Sequence, residues 1–428
     1  MLSKIKDLFP VFFSGTARDT YLIFTSNIFT SFLAFLYTIL LARSFTPSVL
    51  GIFSAVTAFI LLTSDVLDLG ISTSLSRFYP EIKEKKGQGS ADSFAANTFK
   101  FQLLVTLLAV FIIIAAAWPL ARIFLDNSAY FFLYILAGIG ILGTVLTAFS
   151  TSLFAARKDF LPVAVVGVSS TLIKLLFLVI LFYLNFFTLP LVVSSFIGAV
   201  YIAFIICLPH LKIPVFREKF SLGKLKKLLS YSVYIALSRI FSAVSGRLDA
   251  LMLIPLSSAF EAGIYSAAYK IAFTYILLSG SFSMVIAPRL SAFPGLGQAL
   301  PYLKKIILVV CLILATMIVM YFIAPAFVII IFGSRYAPSA EVFRALLLPM
   351  ALFVATIAPV NILLYVLKKP QILTANSLLS LILVIFGNLI FIPRAGRFGP
   401  VYTLTLSYGF TLVISTVFTF YFWKRKSS

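Results

Sequence analysis

The chain has 428 residues, 61 % of them apolar and only 11 % charged, with a mean hydropathy of +1.11 and a formal net charge of +21. Soluble domains run ~45–50 % apolar and ~25 % charged, so this composition excludes an ordinary water-soluble protein, and it excludes disorder, which needs the opposite bias. A bilayer-spanning helix uses ~20 apolar residues, and the apolar content suffices for about a dozen.

Taken in chain order, residues 1–19 carry only a three-residue apolar stretch before Arg18 and Asp19, too short for a signal-peptide core, and read as an interfacial cytoplasmic segment. Twelve apolar runs follow, at 20–42, 49–75, 99–118, 129–154, 160–183, 189–208, 231–254, 260–287, 304–332, 342–366, 372–392 and 399–423. Each is long enough to span as a helix. An even number of spans puts both termini on one side. With that side cytoplasmic, the inner segments hold 24 Lys and Arg and the outer ones five, namely Arg43, Arg122, Arg335, Arg394 and Arg397. The imbalance sets the orientation. It also accounts for most of the net charge without nucleic acid, and the lysine-rich stretches 83–86 and 217–227 read as topology signals beside anionic lipid.

Gly51-Ile-Phe-Ser-Ala55 recurs as Gly263-Ile-Tyr-Ser-Ala267, an offset of 212 that also carries Arg77 onto Arg289. An offset of 211 carries Arg157-Lys158 onto Lys368-Lys369. The chain therefore divides into the segment 1–19, a six-helix half 20–208, a basic cytoplasmic linker 209–230, a second half 231–423 and a basic tail 424–428. Six is even, so the two repeats are parallel, as in transporters whose substrate site lies between the halves.

Cys207 and Cys311 lie in apolar runs and the single histidine, His210, in a basic loop, so neither a disulfide framework nor a zinc site is implied. No G-x-x-x-x-G-K-[ST] segment is present. No Ser/His/Asp set is available and all outer loops are short, so the chain reads as no enzyme and without a cofactor.

Two blocks carry a family resemblance. The first runs Leu41-Ala-Arg-Ser-Phe-Thr-Pro-Ser-Val-Leu-Gly-Ile-Phe-Ser54 and then Asp68-Leu-Gly-Ile-Ser-Thr-Ser-Leu-Ser-Arg77. The second runs Arg247-Leu-Asp249, Glu261-Ala-Gly-Ile-Tyr-Ser-Ala-Ala-Tyr-Lys-Ile271 and Ala287-Pro-Arg-Leu290. Both resemble the polysaccharide-biosynthesis flippases of the O-antigen type, in the superfamily that also holds lipid II flippases and multidrug-and-toxin-extrusion transporters. The resemblance implies an all-α integral membrane protein with a V-shaped pair of six-helix bundles. It also implies translocation of an undecaprenyl-diphosphate-linked oligosaccharide, a cell-surface polysaccharide precursor, from the inner to the outer leaflet. The expected setting is a prokaryotic cytoplasmic (inner) membrane, with glycosyltransferases or a polymerase as partners.

A charge at the centre of a spanning helix costs ~2.5–3.5 kcal/mol, so such residues are functional candidates. Lys174, Arg239, Arg247 and Lys270 are four deep cations against one deep acid, Asp65, with Asp249 near the outer end of the seventh span. On one continuous helix Arg239 and Arg247 are ~80° apart and share a broad face, whereas Arg247 and Asp249 are ~200° apart. A cavity lined by these cations suits a diphosphate, because arginine offers bidentate bonds to phosphate and lysine a mobile charge. Asp65 and Asp249 are candidates for ion coupling. The plainer readings are snorkelling for Arg239 and Arg247, ion pairing for Asp65 and Asp249, and capping of the inner end of the second span by Asp68 and Gly70. Glycines at 138, 140, 143, 167 and 280 read as small-residue packing faces or bending points, and Pro359 as a kink. The rival function is a drug or cation antiporter of the same architecture, which would want an acidic, aromatic cavity.

Overall fold

The computed structural model describes residues 15–214, 237, 239–293 and 296–427. The proposed interfacial segment up to residue 14, the linker from 215 onward and the start of the seventh span lie outside the described residues. Within them the protein is all-α. Ten continuous helical stretches are long and apolar enough to cross a membrane. One of these, Pro370–Lys424, holds two helices, and the seventh span is described from residue 239. The chain is thus a multi-pass membrane protein: among the described residues these stretches hold eleven of the twelve apolar runs of the sequence, and the seventh is helical from residue 239 to Leu256 apart from a turn.

In chain order the helices are α1 (Gly15–Ser44), α2 (Pro47–Leu67), α3 (Ile71–Lys86), α4 (Gln88–Ala115), α5 (Ala117–Leu125), α6 (Phe131–Arg157), α7 (Phe160–Tyr183), α8 (Leu189–Leu211), α9 (Leu248–Leu256), α10 (Ala259–Ser291), α11 (Leu296–Phe332), α12 (Ser339–Ala355), α13 (Ile357–Asn361), α14 (Pro370–Ala395) and α15 (Gly399–Ser427). Their ends follow ordinary chemistry. Ser258 accepts the Glu261 N–H at 3.2 Å and caps α10. Pro370 sits in the first turn of α14, where its missing N–H costs nothing.

The second span corrects the sequence reading. It does not stop near residue 75. After a break at 68–70, α3 carries the chain on to Lys86, and α4 starts two residues later. The supposed loop 76–98 is therefore helical, and its lysines are the last turn of α3. The break has a local cause: Leu69 and Gly70 both take left-handed conformations, φ 47° and 75°. Asp68 accepts the Ser72 N–H at 3.2 Å and the Ser72 hydroxyl, capping the new helix. The carbonyl of Leu67, released by the break, accepts from Gln102 of α4 at 2.7 Å. Pro359 behaves as expected. It cannot bond the Ala355 carbonyl, and α12 ends at that residue before α13 and a π turn over 362–366.

The helices group into two units. One takes the described residues of Met1–Ser44, Phe59–Ile123 and Asn127–Ile240; the other takes Phe45–Ala58, Phe124–Asp126 and Phe241–Ser428. In the first, α1 packs on α7, α7 on α8, α8 on α6, and α6 on both α3 and α4. In the second, α9 packs on α14, α14 on α15, α15 on α12, and α12 on both α10 and α11. The second list is the first advanced by six spans.

At the end of the first unit where α6 and α8 terminate, a polar hub lies beside an apolar cluster that includes Leu75, Phe94, Phe149, Leu153 and Cys207. Arg157, at the end of α6, donates to Tyr79 Oη at 2.9 Å, to Asp92 Oδ1 at 2.8 Å and to the Leu211 carbonyl at 2.7 Å. Longer bonds reach the carbonyls of His210 and Lys212. Tyr79 also donates to Asp92 at 2.7 Å. One guanidinium thus ties the ends of α3, α4, α6 and α8. Charge counting had given Arg157 a topological role alone.

In the second unit the repeated glycines meet. A Cβ on Gly51 would lie 2.1 Å from the Ala259 carbonyl oxygen, and one on Gly263 would lie 1.7 Å from that of Pro47. The contact is reciprocal at the 212-residue offset, and the two backbones touch where only hydrogen fits. Gly263→Ala is expected to cost about 3 kcal/mol, because backbone rather than a side-chain tip must move. Gly280→Ala should leave folded yield unchanged, since nothing lies within 4 Å of its missing Cβ. Yield on size-exclusion in detergent reads both. Gly280 is thus no packing face, in contrast to Gly140 and Gly143, which lie against Ile197 and the Tyr201 ring.

The third sequence match shifts by one. Lys158 and Lys368 are the left-handed residues that end their helices, φ 60° and 55°, so backbone conformation aligns them at an offset of 210.

Candidate functional site

The six charged residues singled out from sequence fall into two groups. Lys174, Arg239 and Asp65 lie in the first unit; Arg247, Asp249 and Lys270 lie in the second.

In the first unit, Lys174 is partly buried on α7, and its Nζ stands 4.1 Å from the centroid of the Phe196 ring on α8. A cation over a phenyl face is weakly held. Among the described residues no carboxylate lies within ion-pair distance of it. Asp65 is exposed on α2, one turn before the break. Arg239 donates through Nη1 to Asp68 Oδ2 at 3.3 Å and to Thr73 Oγ1 at 3.1 Å. Asp68, read from sequence as a cap, is thus both a cap and an ion-pair partner.

In the second unit, Lys270 sits twelve residues into α10, roughly 17 Å along the helix axis. Its Nζ is 5.8 Å from the centroid of the buried Phe53 ring on α2, and among the described residues it too has no carboxylate partner. The seventh span is interrupted beside Arg247. Residues 239–245 are helical, 246–247 form a turn, and α9 begins at Leu248. The angular arithmetic that placed Arg239, Arg247 and Asp249 around one helix therefore fails, because a single glycine in an apolar run breaks it. Broken spanning helices are tolerated where backbone lines a site or is buried in protein.

Asp249 occupies the first turn of α9, is 5 % exposed, and accepts the Ala250 N–H at 2.8 Å and the hydroxyl of Tyr265 on α10. Tyr265 stacks on Tyr269, with centroids 5.6 Å apart. Asn388 on α14 is fully buried. Its amide nitrogen reaches Met252 Sδ, one turn beyond Asp249, at 3.9 Å, and its Oδ1 has no partner among the described residues. Sequence reasoning missed Asn388 and Tyr265. Neither is charged, and each meets the α9 segment only through folding. In the first turn of α10, Glu261 accepts from the Arg397 guanidinium at 3.2 Å and from its backbone N–H at 2.9 Å, joining that end of α10 to the turn between α14 and α15. Among the described residues no group of three or more His, Cys, Asp and Glu is placed to hold a metal ion.

Two mid-span lysines, each facing an aromatic ring and no acid, can attract an anion at low dielectric. The buried Asp249, held by the Tyr265 hydroxyl and the Ala250 N–H, is a group that can exchange a proton or a small cation.

Solved structures share this fold at low identity. The lipid II flippase MurJ in an inward closed conformation matches with a TM-score of 0.76 at 13 % identity, over 92 % of this chain and 86 % of that one. An inward-facing multidrug resistance MATE family transporter of the MOP superfamily matches with a TM-score of 0.73 at 13 % identity, over 93 % and 96 %. A MOP superfamily transporter from Pyrococcus furiosus matches with a TM-score of 0.62 at 14 % identity, over 94 % and 96 %. No curated protein matches the chain. The fold is that of MOP-superfamily transporters. The sequence model described as "Polysaccharide biosynthesis protein" matches residues 16–293, well over half the length, and the chain belongs to that family.

Proposed function

We propose that the protein translocates an undecaprenyl-diphosphate-linked oligosaccharide from the inner to the outer leaflet of a prokaryotic cytoplasmic membrane, with both termini cytoplasmic. The observation that carries this reading is the pair of mid-span lysines, Lys174 and Lys270, that face phenyl rings instead of carboxylates. In a chain of the polysaccharide biosynthesis family, an anionic glycan carrier is the cargo that such cations fit. Arg247 and Arg239 add bidentate donors for the diphosphate. The lipid tail remains in the bilayer, and the halves 20–208 and 231–423 rock about it. The matching packing order in the two units, and the reciprocal contact of Gly51 and Gly263, support the two-repeat division. Asp249 and Asp65 are the proposed coupling groups. Glycosyltransferases or a polymerase would supply and consume the cargo.

The antiporter reading has one observation in its favour, the buried acid Asp249 against the stacked Tyr265 and Tyr269, which suits a cation. Reconstitution separates the two. In proteoliposomes, the flippase reading expects leaflet transfer of a fluorescent undecaprenyl-diphosphate glycan and no efflux of a cationic dye. Dye efflux without glycan transfer would overturn it. Single cysteines introduced in 119–128 and 333–340 should label from outside and those in 83–90 should not; the reverse pattern would refute the orientation.

A further inference from the structure

Arg239 is a proposed phosphate ligand, yet it already holds a carboxylate. Its contacts are one-sided. Nη1 alone is engaged among the described residues, by Asp68 Oδ2 at 3.3 Å and Thr73 Oγ1 at 3.1 Å. The Arg239 side chain is 53 % exposed and that of Asp68 16 % exposed. A long, monodentate and half-exposed pair is worth little. A phosphate offers the same guanidinium two parallel, shorter bonds. The other oxygen of Asp68 is committed to Ser72, so the carboxylate cannot turn to meet the fork with both oxygens.

The position of the pair matters as much as its strength. Asp68 lies in the break of the second span and Thr73 lies just beyond it, in α3. Leu69 and Gly70 between them are left-handed. A single Arg239 nitrogen therefore bridges the break, adding a weak brace to the Asp68–Ser72 bonds across it. Whatever takes Arg239 from Asp68 removes that brace.

We propose that Asp68 is an internal stand-in for the substrate phosphate. It occupies Arg239 when no cargo is bound, and the cargo's phosphate displaces it, freeing the break between α2 and α3 to change angle. The inference rests on the diphosphate reading above and adds regulation of that site: cargo binding and release of the brace are one event. Asp68 thereby lowers affinity for the cargo, because the cargo must first break the pair.

The full-length protein in lipid nanodiscs tests this with undecaprenyl diphosphate as the probe. Asp68→Asn keeps an acceptor for Ser72 and removes the competing charge. It is expected to bind the probe about threefold to fivefold tighter than wild type, while Arg239→Gln binds it more weakly. Spin labels at Ser76→Cys and Leu237→Cys report the brace. Their separation should broaden when the probe is added to wild type and should already be broad in Asp68→Asn without it. Equal or weaker binding by Asp68→Asn would overturn the exchange, as would probe binding that leaves the label separation unchanged; in either case the diphosphate reading stands. No binding by folded wild type and folded Asp68→Asn would overturn the diphosphate reading, and the exchange with it.

Discussion

Glycan export falls about tenfold or more in Lys270→Ala and is lost in Lys270→Glu, at wild-type membrane abundance in both. The ammonium faces the Phe53 ring at 5.8 Å, and among the described residues no carboxylate depends on it. Removing it therefore strands no buried anion, which is the usual reason a charge deletion unfolds a protein. What is lost is a cation at mid-span, and with it a charge-assisted contact worth ~1.5–3 kcal/mol to an anionic cargo. Lys270→Arg should keep partial export, because the charge survives on a wider, planar group. Complementation of a strain lacking its own flippase, with immunoblotting of the membrane fraction, reads export and abundance together. Full export by Lys270→Glu at native expression would remove the anionic-cargo reading and favour a cationic cargo.

Arg157→Ala has the opposite signature: the protein is lost before its activity can be measured. The side chains of Arg157 and Asp92 are 14 % and 18 % exposed. Truncation leaves Asp92, Tyr79 and the carbonyl of Leu211 short of a donor together. Breaking a fully buried pair from one side costs ~3–5 kcal/mol, and this part-buried one up to about the lower figure, a sizeable part of the ~5–15 kcal/mol that holds a typical domain. Arg157→Lys should rescue poorly, because one ammonium cannot reach the acceptors on three other helices. The double variant Arg157→Met with Asp92→Leu should recover part of the loss, since an apolar pair strands no charge. Thermal unfolding followed by fluorescence-detected size exclusion decides it. An unchanged midpoint for Arg157→Ala would return this residue to a purely topological role.

These two residues show what the sequence made legible. The spans could be read because a bilayer demands ~20 apolar residues in a row, a signal stronger than any local propensity. Lys174 and Lys270 stood out because each interrupts such a row. Arg157 lies at the edge of one, where a count of positive charge absorbs it without asking what it touches. The segment 76–98 was misread for a related reason. Its helices lie around Lys83, Lys85 and Lys86, and hydropathy cannot separate a polar helix from a loop. The breaks at 68–70 and 246–247 were hidden because one glycine in an apolar run is ordinarily tolerated. Asp249 was visible as a charge, but its partner Tyr265 stands 16 residues away on another helix, and only packing brings the two together.

The crossing of α2 and α10 also bears on how the sequence can drift over generations. Gly51 and Gly263 each face a carbonyl oxygen of the opposite helix, contributed by Ala259 and Pro47. A carbonyl is present whatever the side chain, so selection at this contact falls on the two glycines and not on the residues they touch. Positions 47 and 259 are free to vary in side chain as far as this crossing is concerned. Positions 51 and 263 are held at the smallest residue, and a change at either cannot be offset by a smaller side chain at its partner, because the partner offers only backbone.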